Sequence, residues 1–168
     1  MAQIVTLTTD FGRESVYVAQ MKAVLLGINP RLTLVDVTHE IPPQDIHTAA
    51  WVLRQVVPTF SPGSVHLAVV DPGVGTDRAC LCADLDGRLL IAPDNGLITY
   101  LAEVLPIRAI VRLENPTYRR PEVSATFHGR DVMAPAAAWL TLGVTLDQLG
   151  PAHSGFVRLP EGSAPTLS

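Results

Sequence analysis

Residues 64–78 read SVHLAVVDPGVGTDR. The opening SVHLAVV does not alternate between apolar and polar residues, as a strand with one wet face would. A run this apolar, with Leu67 to Val70 unbroken, fits a strand buried on both faces, the usual state of a parallel strand with helices above and below it. The chain then leaves the core abruptly through Asp71, a proline and two glycines, and reaches Arg78 seven residues after the carboxylate. A carboxylate and a guanidinium with so little side chain between them are either a loop closed by an ion pair or part of an active site.

The pattern on either side supports the parallel reading. Upstream, residues 3–9 (QIVTLTT) and 32–37 (LTLVDV) read as strands. A helix is predicted over 15–28, with Val18, Met21, Val24, Leu25 and Ile28 at helical spacing, stopped by Asn29-Pro30. A second helix is predicted over 45–57, ended by Pro58. Downstream, residues 79–85 and 88–92 form a hairpin around Asp86-Gly87. A short helix from Asn95, a strand at 107–113 and a helix over 131–141 follow. Alternating strand and helix units predict an α/β fold: a mostly parallel central sheet with helices on both faces, in three layers.

Composition bounds the rest. A chain of 168 residues suits one domain with a proper core. Its 48% hydrophobic and 17% charged content excludes a disordered chain. The net charge of −4 argues against a nucleic-acid partner, which calls for a basic face. No apolar run approaches the ~18 residues of a membrane span. The N-terminal MAQIVTLTTDFG enters a strand without a basic leader, so no signal peptide is expected. Cys80 and Cys82 lie in one strand and read as buried, reduced thiols, which points to the cytoplasm. A CxC pair could seed a metal site only with further ligands. Residues 1–160 are read as the catalytic domain, and 161–168 as a linker or frayed tail.

In an open α/β sheet, ligands sit beyond the carboxyl ends of the strands. Those ends carry Asp10; Asp36, His39 and Glu40; Asp71 and Arg78; Asp94 and Asn95; and then His128, Arg130 and Asp131 at the start of the last long helix. Each has a structural alternative. Asp10 before Phe-Gly shapes a turn as readily as a site. His39-Glu40 before Ile-Pro-Pro reads first as loop structure, and Asp94-Asn95-Gly96 first as a turn and helix cap. Trp51 sits at core spacing on its helix, and His47 and His66 read as structural or solvated.

Asp71 and Arg78 differ in kind. The backbone of DPGVG can approach a ligand closely or curl around an anion, yet it is neither a P-loop nor a dinucleotide fingerprint. A guanidinium favours the charged form of a neighbouring carboxylate. A helix start favours the neutral form of His128. Carboxylate, neutral imidazole and guanidinium together suit the orientation or activation of a water.

Four motifs, TTDFG at 8–12, VVDPGVG with Arg78 at 69–78, APDNG at 92–96 and FHGRDVMAPAAA at 127–138, occur in this order. Together they resemble the S-adenosyl-L-methionine (SAM) hydroxide adenosyltransferases, SAM hydrolases related to the SAM-dependent chlorinase and fluorinase, over about residues 3–160. The resemblance implies a fold like the fluorinase N-terminal domain. It also implies hydrolysis of SAM to adenosine and L-methionine by water or hydroxide at ribose C5′, with SAM as substrate and no cofactor. The family's catalytic residues fall on Asp71, Arg78 and His128, a set the halogenases lack, which favours water over halide as nucleophile. Asp10 matches the clamp on the ribose hydroxyls, Phe127 the segment lining the reacting carbon, and Trp51 a position near the nucleoside and methionine. Asn95, in APDNG, is carried as a further substrate-binding candidate.

Family members are generally larger, with a C-terminal β-rich domain that binds adenine and methionine across a homotrimer interface. This sequence ends in what reads as the linker to that domain. Two other readings stay open. One is a non-catalytic SAM- or adenosine-binding or trimerising module. The other is a metal-dependent hydrolase using Asp10, Asp36, His39, Asp71 and His128. The latter lacks HxH or HExxH spacing and would place Arg78 against the cation.

Overall fold

The computed structural model describes residues 3–162 and 165. Six strands, β1 (Ile4–Thr9), β2 (Thr33–Thr38), β3 (Val65–Val69), β4 (Cys80–Leu85), β5 (Arg88–Pro93) and β6 (Ile107–Arg112), form one sheet in the order β2-β1-β3-β5-β4-β6. The pairs β1–β2, β1–β3 and β3–β5 are parallel, while β4 runs antiparallel to both β5 and β6. The sheet is therefore mostly parallel, with the hairpin strand reversed.

Helices α1 (Val16–Ile28) and α3 (Ala134–Thr141) cover one face, and α2 (Ile46–Val56) the other. β3 shows why its sequence does not alternate. Val65, Leu67 and Val69 enter the core with Met21, Leu25 and Ala137, while Ala68 and Val70 enter the opposite core with Ala49, Leu53 and Leu101. Ser15 caps α1 by accepting from the Tyr17 N–H (3.1 Å), and Asp45 caps α2 by accepting from the Thr48 N–H (2.9 Å). A short α4 (Leu146–Leu149) follows α3.

Two predicted elements differ. The helix expected from Asn95 is a series of turns ending in a single 3₁₀ turn at Leu101–Glu103. Gly96 has a φ of +110°, and a Cβ there would lie 2.6 Å from Leu159, so this stretch is shaped to receive the C-terminal segment rather than to coil regularly. That segment is held by Val157 N–H on Asp94 Oδ1 (2.8 Å) and Leu159 N–H on Thr99 Oγ1 (3.0 Å). The helix expected over 131–141 begins instead as a π turn, Gly129–Met133, before α3. Pro135 has no N–H to give to residue 131, and the Ala134 N–H reaches back to the Gly129 carbonyl. Of the tail assigned to a linker or frayed end, residues 161 and 162 form a turn. Residues 163, 164 and 166–168 lie outside the described residues. Among the described residues no helix is long and apolar enough to cross a membrane.

Register places the site. Thr9 pairs with Val69 across β1 and β3, so Asp10 and Asp71 leave the sheet as neighbours. At the other end of β3, the fully buried His66 ring lies between Thr6 Oγ1 (2.8 Å) and Ser64 Oγ (2.9 Å). It is structural, as the sequence suggested. Burial, assisted by Arg88, lowers its pKa from 6.5 to about 4. The unfolded chain therefore takes up this proton at higher pH than the folded one. Stability is complete above pH 6.5 and falls as pH drops toward about 4, by about 3 kcal/mol for this group. His128, also lowered, adds in the same direction. Urea unfolding between pH 7 and 4.5 checks this, and His66→Gln is expected to flatten the slope.

Candidate active site

A cleft of about 140 Å³ opens at the carboxyl ends of β1 and β3, with Asp10, Phe11, Gln44, Asp71, Phe127 and His128 among its lining. Asp71 follows β3 on the DPGVG turn, and Arg78 returns toward it just before β4. Arg78 Nε donates to Asp71 Oδ1 (2.8 Å) and Nη2 donates to Oδ2, a bidentate fork. Both side chains are largely withdrawn from solvent, Arg78 being 11% and Asp71 6% exposed. Burial works against the guanidinium charge, but the bond to Asp71 outweighs it and the Arg78 pKa is raised.

The same Nη2 lies 3.0 Å from Nδ1 of His128. A guanidinium can only donate, so Nδ1 accepts and the neutral imidazole carries its proton on Nε2. The His128 pKa is lowered, first by burial and then by Arg78, with Arg119 adding and Asp71 opposing. The direction is the one expected from sequence, with burial and a guanidinium as its causes. Arg78 is thus the hub: it joins carboxylate and imidazole, which do not bond each other directly. Its remaining Nη1 points to the Cys80 sulfur at 3.1 Å. Burial pushes the Cys80 thiol up to about 11 and the Cys82 thiol up further, so both are protonated and unreactive at neutral pH.

Asp10 lines the cleft with Oδ2 accepting from the Gln44 backbone N–H (2.7 Å). Phe127 is buried in an edge-to-face cluster with Phe11 (5.8 Å) and Tyr17 (5.0 Å). The other two candidates lie outside this lining. Asn95 donates from Nδ2 to the Val70 carbonyl (2.9 Å), holding the end of β3 just before Asp71. Trp51, half-buried on α2, is edge-on to Tyr100 (6.1 Å) and lines a separate groove with Arg158 and Leu159.

The loop between β2 and α2 supplies a residue sequence reasoning missed. Gln44 has a φ of +64°, uncommon for a side-chain-bearing residue, immediately before the Asp45 cap. Its signal was the crowded IPPQD stretch between β2 and α2, which composition alone reads as a turn. Asp131 was noted only as a polar residue at a helix start. It is fully buried and bonds Arg120 (2.8 Å), Arg130 (2.7 Å) and the Ser124 N–H (2.9 Å), tying the 120–128 loop to the π turn. Burial opposes its charge, but these bonds outweigh burial and hold the carboxyl at about 2. His39 bonds Thr9 and Asp36 behind the cleft, and Glu40 pairs with Arg13 at the surface. Among the described residues no three His, Cys, Asp or Glu side chains stand together as a metal site needs.

The sequence profile of the SAM hydroxide adenosyltransferase N-terminal domain matches residues 5–150. The chain belongs to this family. It is 47% identical over 159 residues to the (R)-S-adenosyl-L-methionine hydrolase of Salinispora tropica, covering 93% of this chain and 60% of that protein. It is also 26% identical to a fluorinase of an Actinoplanes species, over 98% of this chain and 64% of the fluorinase. A crystal structure from Thermotoga maritima, described as an uncharacterized conserved protein, superposes with a TM-score of 0.91 at 38% identity, covering 94% of this chain and 61% of that one. The chain spans about three fifths of the length of the curated hydrolases it matches. The α/β fold of the family is therefore present here in its N-terminal part.

Proposed function

We propose that the cleft is the SAM-hydrolysing site, where water attacks ribose C5′ and releases adenosine and L-methionine. The observation carrying this reading is the junction of Asp71, Arg78 and His128 beside Asp10, in a chain whose relatives at 42–47% identity bear the hydrolase name. One water is consumed: its oxygen forms the new C5′–O bond as the C5′–S bond breaks, its proton leaves, and the sulfonium departs as a neutral thioether. No general acid is needed at sulfur, and no cofactor enters this scheme.

The proton assignments divide the labour. With Nδ1 occupied by Arg78, His128 presents Nε2–H and acts as a donor that orients the water. Asp71 keeps one lone pair free on each oxygen beyond its two bonds to Arg78, so it receives the water's proton or aligns its lone pair. Asp10 clamps the ribose hydroxyls, and the ring of Phe127 lines the reacting carbon and keeps bulk water, other than the oriented nucleophile, out of the pocket. Cationic sulfonium and developing hydroxide cancel charge as they approach, so a dry pocket favours the transition state. In-line placement of oxygen at ~3–3.5 Å from C5′ supplies much of the rest.

The cleft volume is below the ~300–1,000 Å³ of ordinary ligand sites, so these residues form one wall of a larger site. Val16 and Tyr17, 65% and 52% exposed, belong to the same N-terminal turn of α1 that meets Phe11 and Phe127, and supply apolar surface for a closing partner. That fits a homotrimer in which a second polypeptide completes the pocket. The protonated thiols Cys80 and Cys82 fit a reducing cytoplasm.

The test is incubation with SAM in water labelled at oxygen. Label in the 5′-hydroxyl of the released adenosine is expected, with equimolar methionine, and turnover is expected to survive chelation. Label absent from adenosine excludes attack at C5′. Calorimetric binding of SAM without product makes the chain a binding module, and loss of turnover on chelation makes it a metal enzyme.

A further inference from the structure

Behind Asp10, four side chains from β1, β2, the loop that follows β2, and α1 form a continuous chain of hydrogen bonds. Thr9 Oγ1 lies 2.9 Å from His39 Nδ1, His39 Nε2 lies 2.7 Å from Asp36 Oδ1, and Lys22 Nζ donates to Asp36 Oδ2 at 2.6 Å. Thr9 is fully buried and His39 is 7% exposed. Thr9 Oγ1 also accepts from the Phe11 N–H at 3.2 Å, so this hydroxyl shapes the turn that carries Asp10 between Thr9 and Phe11. One assignment of protons satisfies every atom. The Phe11 N–H donates to Thr9, the Thr9 hydroxyl to His39 Nδ1, and His39 Nε2–H to Asp36. A hydroxyl, an imidazole and a carboxylate in this order resemble a nucleophilic triad, but the hydroxyl is buried and faces no cleft. Its use is positional.

The backbone repeats the connection. The Gly12 N–H donates to the His39 carbonyl (2.7 Å), the Ile41 N–H to the Thr9 carbonyl (3.4 Å), and the Gln44 N–H to Asp10 Oδ2 (2.7 Å). The β2–α2 loop thus grips the Asp10 turn through three backbone groups and the His39 ring, the one loop side chain that meets a buried group of that turn; Glu40 pairs with Arg13 at the surface beyond it. We propose that His39 is a positioning residue: through Thr9 it sets the direction of the Asp10 carboxylate, and so the recognition of a vicinal ribose diol. This rests on the reading of Asp10 as the ribose clamp. A carboxylate aligned on two adjacent hydroxyls loses both bonds if its turn rotates, because hydrogen bonds weaken steeply off axis.

The experiment compares two ligands, adenosine and 2′,3′-dideoxyadenosine, by calorimetry on the unsubstituted chain and on His39→Ala. The unsubstituted chain is expected to prefer adenosine by at least about tenfold, the scale of one charge-assisted hydrogen bond. His39→Ala is expected to lose most of that preference while binding the dideoxy ligand as before. A merely structural defect weakens both ligands alike, so the ratio of the two affinities is the readout. His39→Asn, whose amide reaches the position of Nδ1, is expected to restore the preference; His39→Gln, which reaches toward Asp36 instead, is not. Equal weakening of both ligands in His39→Ala, an unchanged ratio, or a His39→Asn variant that behaves like His39→Ala overturns the proposal. If the unsubstituted chain shows no preference for adenosine, the ribose-clamp reading itself fails, and this inference with it.

Discussion

Asp71→Asn is expected to slow adenosine release about 10²–10⁴-fold, the range general-base or water-orienting groups contribute. The amide fits the space of the carboxylate but turns an NH₂ toward a guanidinium that can only donate. One arm of the fork through Arg78 Nε and Nη2 is therefore lost. The charge that receives the water's proton is lost as well. Arg78, its side chain only 11% exposed and part of its charge now unmatched, is expected to swing from His128 Nδ1, so the imidazole tautomer loosens too. Adenosine affinity is expected to change only a few-fold, because Asp10 rather than Asp71 meets the ribose in the proposed mechanism. Single-turnover release of adenosine, with calorimetry of the same variant, separates the two. Near-normal turnover would remove Asp71 from the chemistry.

Gly75→Ala is expected to be the most damaging single methyl in the site. Gly75 has a φ of +82°, and a Cβ there would stand 2.5 Å from the backbone carbonyl oxygen of Ala125. Backbone cannot swing aside as the end of a side chain can, so the DPGVG turn and the loop leading to Phe127 and His128 must move apart. The left-handed backbone costs about 1–2 kcal/mol and the overlap about 1–3 kcal/mol more, roughly 2–5 kcal/mol in all. Activity is expected to fall with stability, since those two loops carry Asp71 and His128. Gly63→Ala is the control: φ is +93°, but nothing lies within 4 Å of the added Cβ. Only the backbone cost applies there, so its melting temperature is expected to drop by about half as much. Equal melting shifts for the two variants would show that the loop contact carries no weight.

Gly75 also shows where sequence reasoning stopped short. The glycines of DPGVG were read as room for a ligand or an anion, which is one reason a chain carries them. At Gly75 the close approach is to another loop of the same protein. Gln44 was not singled out from the sequence, yet it lines the cleft, while Trp51 lines a separate groove with Arg158 and Leu159. Gln44 lies in the loop before the Asp45 cap, with a φ of +64°, so its direction is set by that loop and not by the helix that carries Trp51.

Other parts were legible because they depend on local or two-fold patterns. The run at 65–70, apolar but for His66, identified a strand buried on both faces. The Asp86-Gly87 turn fixed the hairpin, and Ser15 and Asp45 marked the helix starts. The four motifs in order identified the family, and placed Asp10, Asp71 and His128 beyond strand ends or at a helix start. These are consequences of side-chain alternation, turn chemistry and capping, which act over a few residues.

The tertiary structure decided the rest. That Arg78, rather than a direct contact, joins Asp71 to His128, and that His128 therefore carries its proton on Nε2, depends on residues fifty positions apart meeting at one guanidinium. That His39 stands behind Asp10 through Thr9 depends on β1 and β2 being parallel neighbours, which puts both strand ends at the same edge. Short-range propensities set which segments are strands and helices. Distances, protonation and partners are set by how those segments pack, because hydrogen bonds and charges act in space and not along the chain.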